Sequence, residues 1–397
     1  MSNALFWDSP CAGCRSLLLA RSRRTGRLTK TGQMLDLRPM DSFARSVPWE
    51  VKRGSLYALS AAVLFGASTP LSKLLLPRVS PLMLAALLYL GAAGILAILR
   101  GLAVVRGQQS SEARIRSSDV PTLCALVAFG GVFGPVLMLF GLARISSLTG
   151  SLLLNLEAVF TIGFAVLVFH EHLDRSSTIA SAIVVLGAVL LSYQPGAVSG
   201  TLVGVAAIVG ACLSWAIDNN LSQRLSLRDP ITIVQVKSAG GGLTSLALAL
   251  VTGHMLPAPA LLFGVLALGC MSYGASLVCA MLALRYLGAA RQAAWFSTAP
   301  FVGAALSIPI FRVSPTFFEA LGMAFMMAGI FLLARERHSH PHTHEPIEHD
   351  HLHVHDEHHR HAHEGAVTEP HSHTHRHDTV THGHPHASDV HHQHSHA

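Results

Sequence analysis

The stretch GSLLLNLEAVFTIGFAVLVFHEHL, residues 150–173, decides the fold class of this chain. Its first twenty residues, Gly150 to Phe169, contain one ionisable side chain, Glu157. As a helix rising about 1.5 Å per residue, such a run crosses the roughly 30 Å hydrocarbon core of a bilayer. The stretch is therefore predicted to be a transmembrane helix that carries an acid within the membrane.

Most of the remaining chain has the same character. Of its 397 residues, 51% are hydrophobic and 13% are charged, whereas soluble domains have about 25% charged residues. The chain is therefore predicted to be an all-α polytopic membrane protein. Breaks marked by Pro, Gly or charge separate ten predicted spans: residues 55–76, 80–100, 120–142, 147–169, 176–194, 200–222, 231–252, 259–284, 289–311 and 315–335.

The basic residues orient the spans and make no face for nucleic acid. Ten of the 28 Lys and Arg precede Gly54, and most others lie between apolar segments. A cytoplasmic N-terminus satisfies the positive-inside rule, and ten spans return the C-terminus to the cytoplasm of an inner-membrane protein. The inside loops then hold Arg100, Arg106, Arg114, Arg116, Arg175, Arg224, Arg228, Arg285 and Arg291, against Lys73, Arg78, Arg144 and Arg312 outside.

An internal repeat is visible in the order and spacing of short matches. Two halves of five spans each are inverted in the membrane because five is odd, an arrangement common in secondary transporters. The offset between matching residues falls from 150 in the first matches to 141 and 142 in the later ones, because the first half contains a longer loop at residues 101–119. The matches are Phe65 and Leu71–Lys73 with Trp215 and Leu221–Gln223 at offset 150, Gly187–Leu191 with Gly329–Leu333 at 142, and Arg144 with Arg285 at 141.

Residues 150–173 closely resemble the signature of EamA-type members of the drug/metabolite transporter superfamily. Ala299-Pro300-Phe301 looks like its second-half counterpart, and Cys212-Leu-Ser-Trp215-Ala resembles the family's sixth span. The resemblance covers about residues 54–336. It implies ten helices in two inverted five-helix repeats, 54–196 and 199–337, and transport of a small solute, usually efflux.

The chain departs from that family pattern at two positions. Ala158 stands where the first repeat usually has proline, which predicts that a helix kink is lost. The second-repeat position that matches Glu171 falls near Arg312, so the paired acid is missing. A mechanism that needs two symmetric acids is therefore not expected.

Polar residues inside the spans are the candidates for substrate or proton contact, because a charge in hydrocarbon costs at least about 2.5 kcal/mol. Glu157 is the first candidate, and its alternative role is a structural ion pair with Lys237. The trio Asp218-Asn219-Asn220 and its repeat counterpart Ser68-Thr69 either line a transport cavity or, for the trio, lie hydrated at the cytoplasmic mouth. The family acid Glu171 joins this set, whereas Glu319 is predicted at the interface.

Residues 338–397 form a tail that holds 23 of the 26 histidines. Imidazole suits Zn, Ni, Co and Cu, and histidines alternating along an extended chain fall on one side. No core is expected from this composition, so the tail is predicted to be disordered without metal. The alternatives are a low-complexity expansion or a pH-responsive tail. The candidate ligands are His349, His351, His353, His355, His358, His359, His361, His363, His371, His373, His375 and His377.

Residues 1–53 are predicted to be a disordered basic extension. They lack the apolar core of a secretory signal, and Met34 and Met40 leave open a later translation start. Cys11 and Cys14 form one C-x-x-C, which needs further ligands to make a zinc site.

The predicted function is secondary active transport, without enzymatic activity and without a required cofactor. The chain has no Walker A sequence and no catalytic constellation. A proton is the candidate coupling ion, bilayer lipid surrounds the spans, and a homodimer is left open. Two alternatives remain: export of a divalent metal (Ni, Co or Zn) captured by the tail, and metal sensing without transport.

Overall fold

The computed structural model describes residues 49–106, 115–169, 175–193, 199–225, 228–287, 292 and 295–335, together with four strand segments in the tail. Most of the N-terminal extension, Cys11 and Cys14 included, lies outside these described residues. The first helix begins at Trp49, six residues before the predicted start of the first span.

Helices account for nearly all of the described chain before the tail. Their apolar composition follows directly from the hydrophobic runs that predicted them. A short 3₁₀ turn, Ser117–Asp119, precedes the third helix. The helices are α1 Trp49–Leu75, α2 Pro81–Val105, α3 Val120–Leu126, α4 Gly134–Leu142, α5 Ser147–Leu153, α6 Leu156–Phe169, α7 Arg175–Ser192, α8 Ser199–Arg224, α9 Pro230–Val251, α10 Pro259–Gly269, α11 Ser276–Leu287, α12 Ala299–Phe311 and α13 Phe317–Arg335.

Eight helical segments of the described chain are long and apolar enough to cross a membrane, and two more apolar helices are shorter. The eight correspond to the first eight predicted spans. The shorter pair, Ala299–Phe311 and Phe317–Leu333, occupies the places of the ninth and tenth. The chain is thus a polytopic helical membrane protein, and the count of ten crossings stays a prediction.

Two crossings contain a π-helical turn at corresponding places. Val127–Phe133 joins α3 to α4, and Cys270–Ala275 joins α10 to α11. The two turns begin 143 residues apart, since 270 minus 127 is 143. This separation agrees with the offsets of 141 and 142 read from the sequence, so two distinct distortions of the backbone repeat with the sequence matches.

The fourth crossing is broken between α5 and α6, although Ala158 replaces the family proline. The break concerns the helical hydrogen-bond pattern, and the predicted loss of a kink in the helix axis stays a prediction. At the break, the Asn155 side-chain nitrogen donates to Leu152 O at 3.0 Å, and Asn155 N also donates to Leu152 O at 3.1 Å. These i to i−3 contacts replace the α-helical pattern, because a short amide side chain competes for backbone carbonyls.

Small residues let helices of the two halves approach closely. A Cβ at Gly131 would lie 3.1 Å from Gly241 Cα, so this part of the third crossing packs directly on α9. A Cβ at Gly269 would clash with the Leu88 backbone of α2, and Cys270 Sγ lies 3.1 Å from Gly91 O. Glycine at these positions therefore lets the helices pack backbone to backbone.

Four short strands are described in the His-rich tail. The first pairs antiparallel with the fourth and the second with the third. Disorder of the tail in the absence of metal stays a prediction. His355, His358, His359, His361, His363 and His377 lie outside the described residues. The strands are His338–His344, Glu348–His353, His371–Arg376 and Val380–His386.

Candidate functional site

Glu157 lies in the first turn of α6, directly after the break in the fourth crossing. The first N–H groups of a helix lack partners within the helix and carry partial positive charge. A carboxylate at this place is stabilised by the start of the helix, although isolated charge is costly inside a bilayer. The break therefore explains how the acid is accommodated in the span.

The helix α8 supplies the hydrogen-bond partner of Glu157. Asn219 Nδ2 donates to Glu157 Oε1 at 2.8 Å. Glu157 is half-buried, whereas Asn219 is exposed on the surface of the protein. The pair thus joins the fourth and sixth crossings through a contact that leaves room for another molecule at the amide.

Asp218 and Lys237 form a buried ion pair beside that contact. Lys237 Nζ donates to Asp218 Oδ2 at 2.8 Å, and the two side chains are 13% and 6% exposed respectively. The alternative that Glu157 pairs with Lys237 is therefore wrong. Lys237 lies about two turns into α9, 19 residues beyond Asp218, and the α8–α9 hairpin places it opposite Asp218 rather than Glu157.

The π-helical turn in the third crossing forms the wall behind the ion pair. The Gly130 carbonyl accepts a hydrogen bond from Tyr89 Oη at 2.7 Å and from Trp215 Nε1 at 3.4 Å. A Cβ at Gly130 would overlap the Asp218 carboxyl group. Gly130 therefore gives Asp218 the space that its ion pair requires.

Asn220 has a structural place next to the site. Its side-chain nitrogen donates to Ala216 O at 2.8 Å and to Thr161 O at 3.2 Å, and the residue is 1% exposed. Asp218 is 4% exposed. Two members of the trio are thus buried, which contradicts the alternative of a fully hydrated trio at the cytoplasmic mouth.

The structure does not bring the repeat counterpart of the trio into the same hydrogen-bonded group. Ser68 and Thr69 are buried in α1, at 0% and 2% exposure. The Ser68 hydroxyl has no hydrogen-bond partner among the described residues. Glu171 lies outside the described residues. Glu319 caps the start of α13 by accepting from Thr316 N at 2.9 Å.

An aromatic cluster lies on the α1 side of Trp215. Phe65 meets Trp215 edge-on with ring centroids 6.2 Å apart, and it meets Phe296 at 5.2 Å. Tyr273 joins Phe65 at 5.6 Å and Tyr89 at 5.2 Å. Trp215 is 6% exposed and belongs to the core.

Sequence reasoning missed Tyr89 and the carbonyl of Gly130. Tyr89 is a single aromatic residue in a long apolar run, and nothing in its spacing distinguishes it from core residues. The adjacent glycines Gly130 and Gly131 are visible in the sequence, but a glycine pair in an apolar run is typical of close helix packing and does not reveal a carbonyl freed by a π-helical turn.

The charges of the described site do not balance. Asp218 and Lys237 neutralise one another, and Glu157 has an amide rather than a cation as its hydrogen-bond partner. In the parts of the chain whose side chains are described, no group of three or more His, Cys, Asp or Glu is arranged to hold a metal ion. The described site is therefore a carboxylate with an amide, and not a preformed metal centre.

A separate apolar groove of about 420 Å³ lies between the fourth, fifth and sixth crossings. It is lined by Leu153, Leu156 and Phe160 on one side and by Val185, Ala188 and Val209 among others. Neither Glu157 nor Asn219 lines it, so this groove and the polar site are distinct places.

The two halves match the same family profile. The EamA-like transporter family matches residues 52–193 and again residues 202–335. The chain belongs to this family. Both copies include one π-helical turn and five of the predicted spans, and the site just described combines Glu157 of the first copy with Asp218, Asn219 and Lys237 of the second.

Two comparisons show what this EamA-like chain is similar to. An uncharacterized transporter of Methanothermobacter thermautotrophicus is 29% identical over 343 residues, which cover 83% of this chain and 98% of that protein. A solved crystal structure matches with a TM-score of 0.54 and 17% identity, over 71% of this chain and 98% of that one. The second likeness concerns the fold alone. The EamA-like chain is a multi-pass membrane transporter rather than an enzyme.

Proposed function

We propose that this EamA-like transporter exports a small solute by secondary active transport, with Glu157 and Asn219 as its central contact pair. The observation that carries the proposal is the unneutralised carboxylate of Glu157, held inside the membrane by the start of α6 and by Asn219. Ionisable residues at such depth usually belong to substrate or ion pathways. The exposed amide of Asn219 gives a solute access to this carboxylate.

A proton is the proposed coupling ion. Glu157 has no described cation at ion-pair distance, whereas Asp218 has Lys237 at 2.8 Å. A carboxyl group without a fixed counter-ion gains most from taking up a proton when its surroundings become drier. Solute and proton would then alternate at one acid, which requires no second, symmetric acid near Arg312.

Asp218 and Lys237 have a supporting role in this proposal. A buried ion pair keeps its charge only when both partners remain in contact, so the pair stays fixed while Glu157 changes partners. Asn219 follows Asp218 in the chain, and the ion pair thereby fixes the turn of α8 that presents the amide to Glu157. Asn220 holds the same turn through Thr161 O.

For the tail we propose binding of divalent transition metal at its histidines, as a regulator of the carrier. The support is compositional: 23 histidines lie in sixty residues, interleaved with carboxylates such as Asp350 and Asp356. Imidazole and carboxylate together suit Zn, Ni, Co and Cu. Both termini are proposed to be cytoplasmic in an inner-membrane protein, and formation of a homodimer is left to experiment.

The tail also favours a second candidate function, export of Ni, Co or Zn that the tail captures and delivers. Against it stands the described membrane region, in which no metal-binding group occurs. The three histidines outside the tail, His170, His172 and His254, fall at the ends of predicted spans. An organic solute therefore agrees better with the described site.

Flux in proteoliposomes separates these functions. Proteoliposomes that contain the full chain or a truncation after Arg337 are placed under an imposed proton gradient. Ni²⁺, Co²⁺ and Zn²⁺ are the metal probes, and an amino-acid mixture is the organic probe. Metal flux that weakens on truncation would establish the metal exporter. Organic flux that survives truncation would establish the first proposal. Metal binding with no flux of any probe would favour a sensor.

A further inference from the structure

We infer that the structure is closed on one face of the membrane by a gate of four small residues, Gly66, Ser147, Gly303 and Ser307. The inference rests on the proposed transport function. The far side is defined as the face at which α5 begins, and the near side as the face at which α1 begins. The gate joins three helices, α1, α5 and α12, that belong to different halves of the chain.

The closest part of the gate is a hydroxyl pair. Ser307 Oγ and Ser147 Oγ form a hydrogen bond at 2.8 Å, and both residues are buried, at 0% and 4% exposure. Ser147 is the first residue of α5, so this contact lies at the far end of the fourth crossing. The Ser307 hydroxyl also contacts Gly303 O, one turn earlier in α12, at 2.7 Å.

Two glycines bring α1 and α12 into backbone contact just inside that pair. A Cβ at Gly303 would lie 2.8 Å from Gly66 O and 2.8 Å from Ser151 Oγ. A Cβ at Gly66 would overlap the Ala299 carbonyl. No space for a solute remains between these backbones, so the far-side path between α1, α5 and α12 is shut.

A rim contact lies beside the gate on the same face. Thr149 Oγ1 donates to Glu319 Oε1 at 3.0 Å, which ties α5 to the start of α13. Glu319 therefore serves both as the cap of its own helix and as a link to the first half.

The near-side half of the fourth crossing is packed differently. The helix α6 packs against α7 and α8, and its described part makes at most marginal contact with α1 and α12. A Cβ at Gly163 would meet nothing within 4 Å. An ion pair on the near side, Arg228 Nε with Asp119 Oδ2 at 2.9 Å, joins the segment before α9 to the 3₁₀ turn before α3 and does not involve α6.

The break in the fourth crossing lies between the gate at α5 and the near-side half formed by α6. The helix α5 is packed into the gate, whereas Glu157 follows the break and faces the exposed Asn219. Glu157 stands ten residues beyond Ser147, about 15 Å along a helix. The gate thus lies on the far side of the site, and the hydroxyl pair must separate before a solute leaves on that face.

Reversible cross-linking tests the gate. A cysteine-free chain carrying Ser147→Cys and Ser307→Cys is oxidised and then reduced, with each single cysteine variant as control. In a second form, Asn219→Cys is added as a reporter for a charged, membrane-impermeant maleimide applied to one face at a time. The near side is identified by labelling of a cysteine placed at Lys52, before the first crossing.

The gate predicts that oxidation lowers far-side labelling of position 219 at least tenfold, leaves near-side labelling within twofold, and is reversed by reduction. Equal far-side labelling in both redox states would overturn the gate, as would reduced protein that is never labelled from the far side. Ni²⁺ and amino-acid flux in the two-cysteine form should fall with the cross-link. If the reduced chain carries neither probe while the labelling pattern holds, the gate stands and the proposed transport function loses its support.

Discussion

Asn219, on α8, donates a 2.8 Å hydrogen bond to Glu157 at the start of α6, while the neighbouring Asp218 is held by Lys237. Two adjacent residues of α8 therefore take part in two different contacts. Asp218 is itself the carboxylate of one, and Asn219 donates to the carboxylate of the other. One contact is a closed ion pair, and the other leaves a carboxylate without a cation. This division separates the part of the site that is fixed from the part that is free to change partners.

Removing one member of the ion pair should destabilise the protein. Asp218→Asn or Lys237→Met leaves a buried charge without its partner, which typically costs about 3–5 kcal/mol. The double variant should lose at least about 1 kcal/mol less than the sum of the single variants, because the two groups interact directly. Unfolding of the purified protein in detergent measures all three free energies, and additive losses would contradict the pairing.

Gly130→Ala and Gly163→Ala should change stability in opposite directions. The new Cβ at Gly130 overlaps the Asp218 carboxyl group, and overpacking of this kind costs about 1–3 kcal/mol. At Gly163 the Cβ meets open space, so alanine should stabilise the helix by about 0.5–1 kcal/mol. Thermal unfolding of both variants checks the signs. Equal effects would show that Gly130 is an ordinary helix position.

Asn155→Leu should straighten the fourth crossing. Leucine cannot bond Leu152 O as the Asn155 amide does at 3.0 Å, so α5 and α6 are expected to join and Glu157 to lose its place at a helix start. Flux of whichever probe the parent carries should fall about tenfold, or about 1.4 kcal/mol in activation free energy. Asn155→Ser, whose hydroxyl also bonds nearby backbone, should recover part of that flux. Wild-type flux in the leucine variant would contradict this role of the break.

The sequence predicted the helices well and their contacts poorly, for physical reasons. About twenty apolar residues are needed to cross a bilayer, so the hydrophobic runs located the first eight crossings. The break at Asn155 has no proline or glycine to mark it. The partner of Lys237 depends on how α8 and α9 pack, and a linear pattern contains no information on that register.

The candidate site was likewise predicted in part. Glu157 and the trio were found because polar residues are conspicuous in apolar runs. Ser68 and Thr69 were added through the internal repeat, yet they are buried in α1, and the hydrogen bonds of the described chain do not join them to the trio. Inverted repeats place equivalent residues at mirrored depths, so repeat equivalence by itself does not predict contact.

Truncation after Arg337 should remove metal binding and leave the membrane region folded. The removed residues hold 23 of the 26 histidines, whereas the described membrane region has no metal-binding group. Equilibrium dialysis with Ni²⁺ should show several ions bound by the full chain and none by the truncation. An unchanged thermal midpoint serves as the folding control. Retained stoichiometric binding after truncation would place the metal elsewhere.

The most direct test of the central claim is proton-driven flux of the Ni²⁺ and amino-acid probes in proteoliposomes with Glu157→Gln, with Asp229→Asn as the matched control. Glutamine keeps an acceptor for Asn219 but cannot exchange a proton. Asp229 caps the start of α9 by accepting from Ile231 N at 3.0 Å, a contact that asparagine also makes. We expect flux of at least one probe to fall tenfold or more in Glu157→Gln and to stay within threefold of the parent in Asp229→Asn. Parental flux in Glu157→Gln would contradict the claim that this carboxylate is the centre of transport.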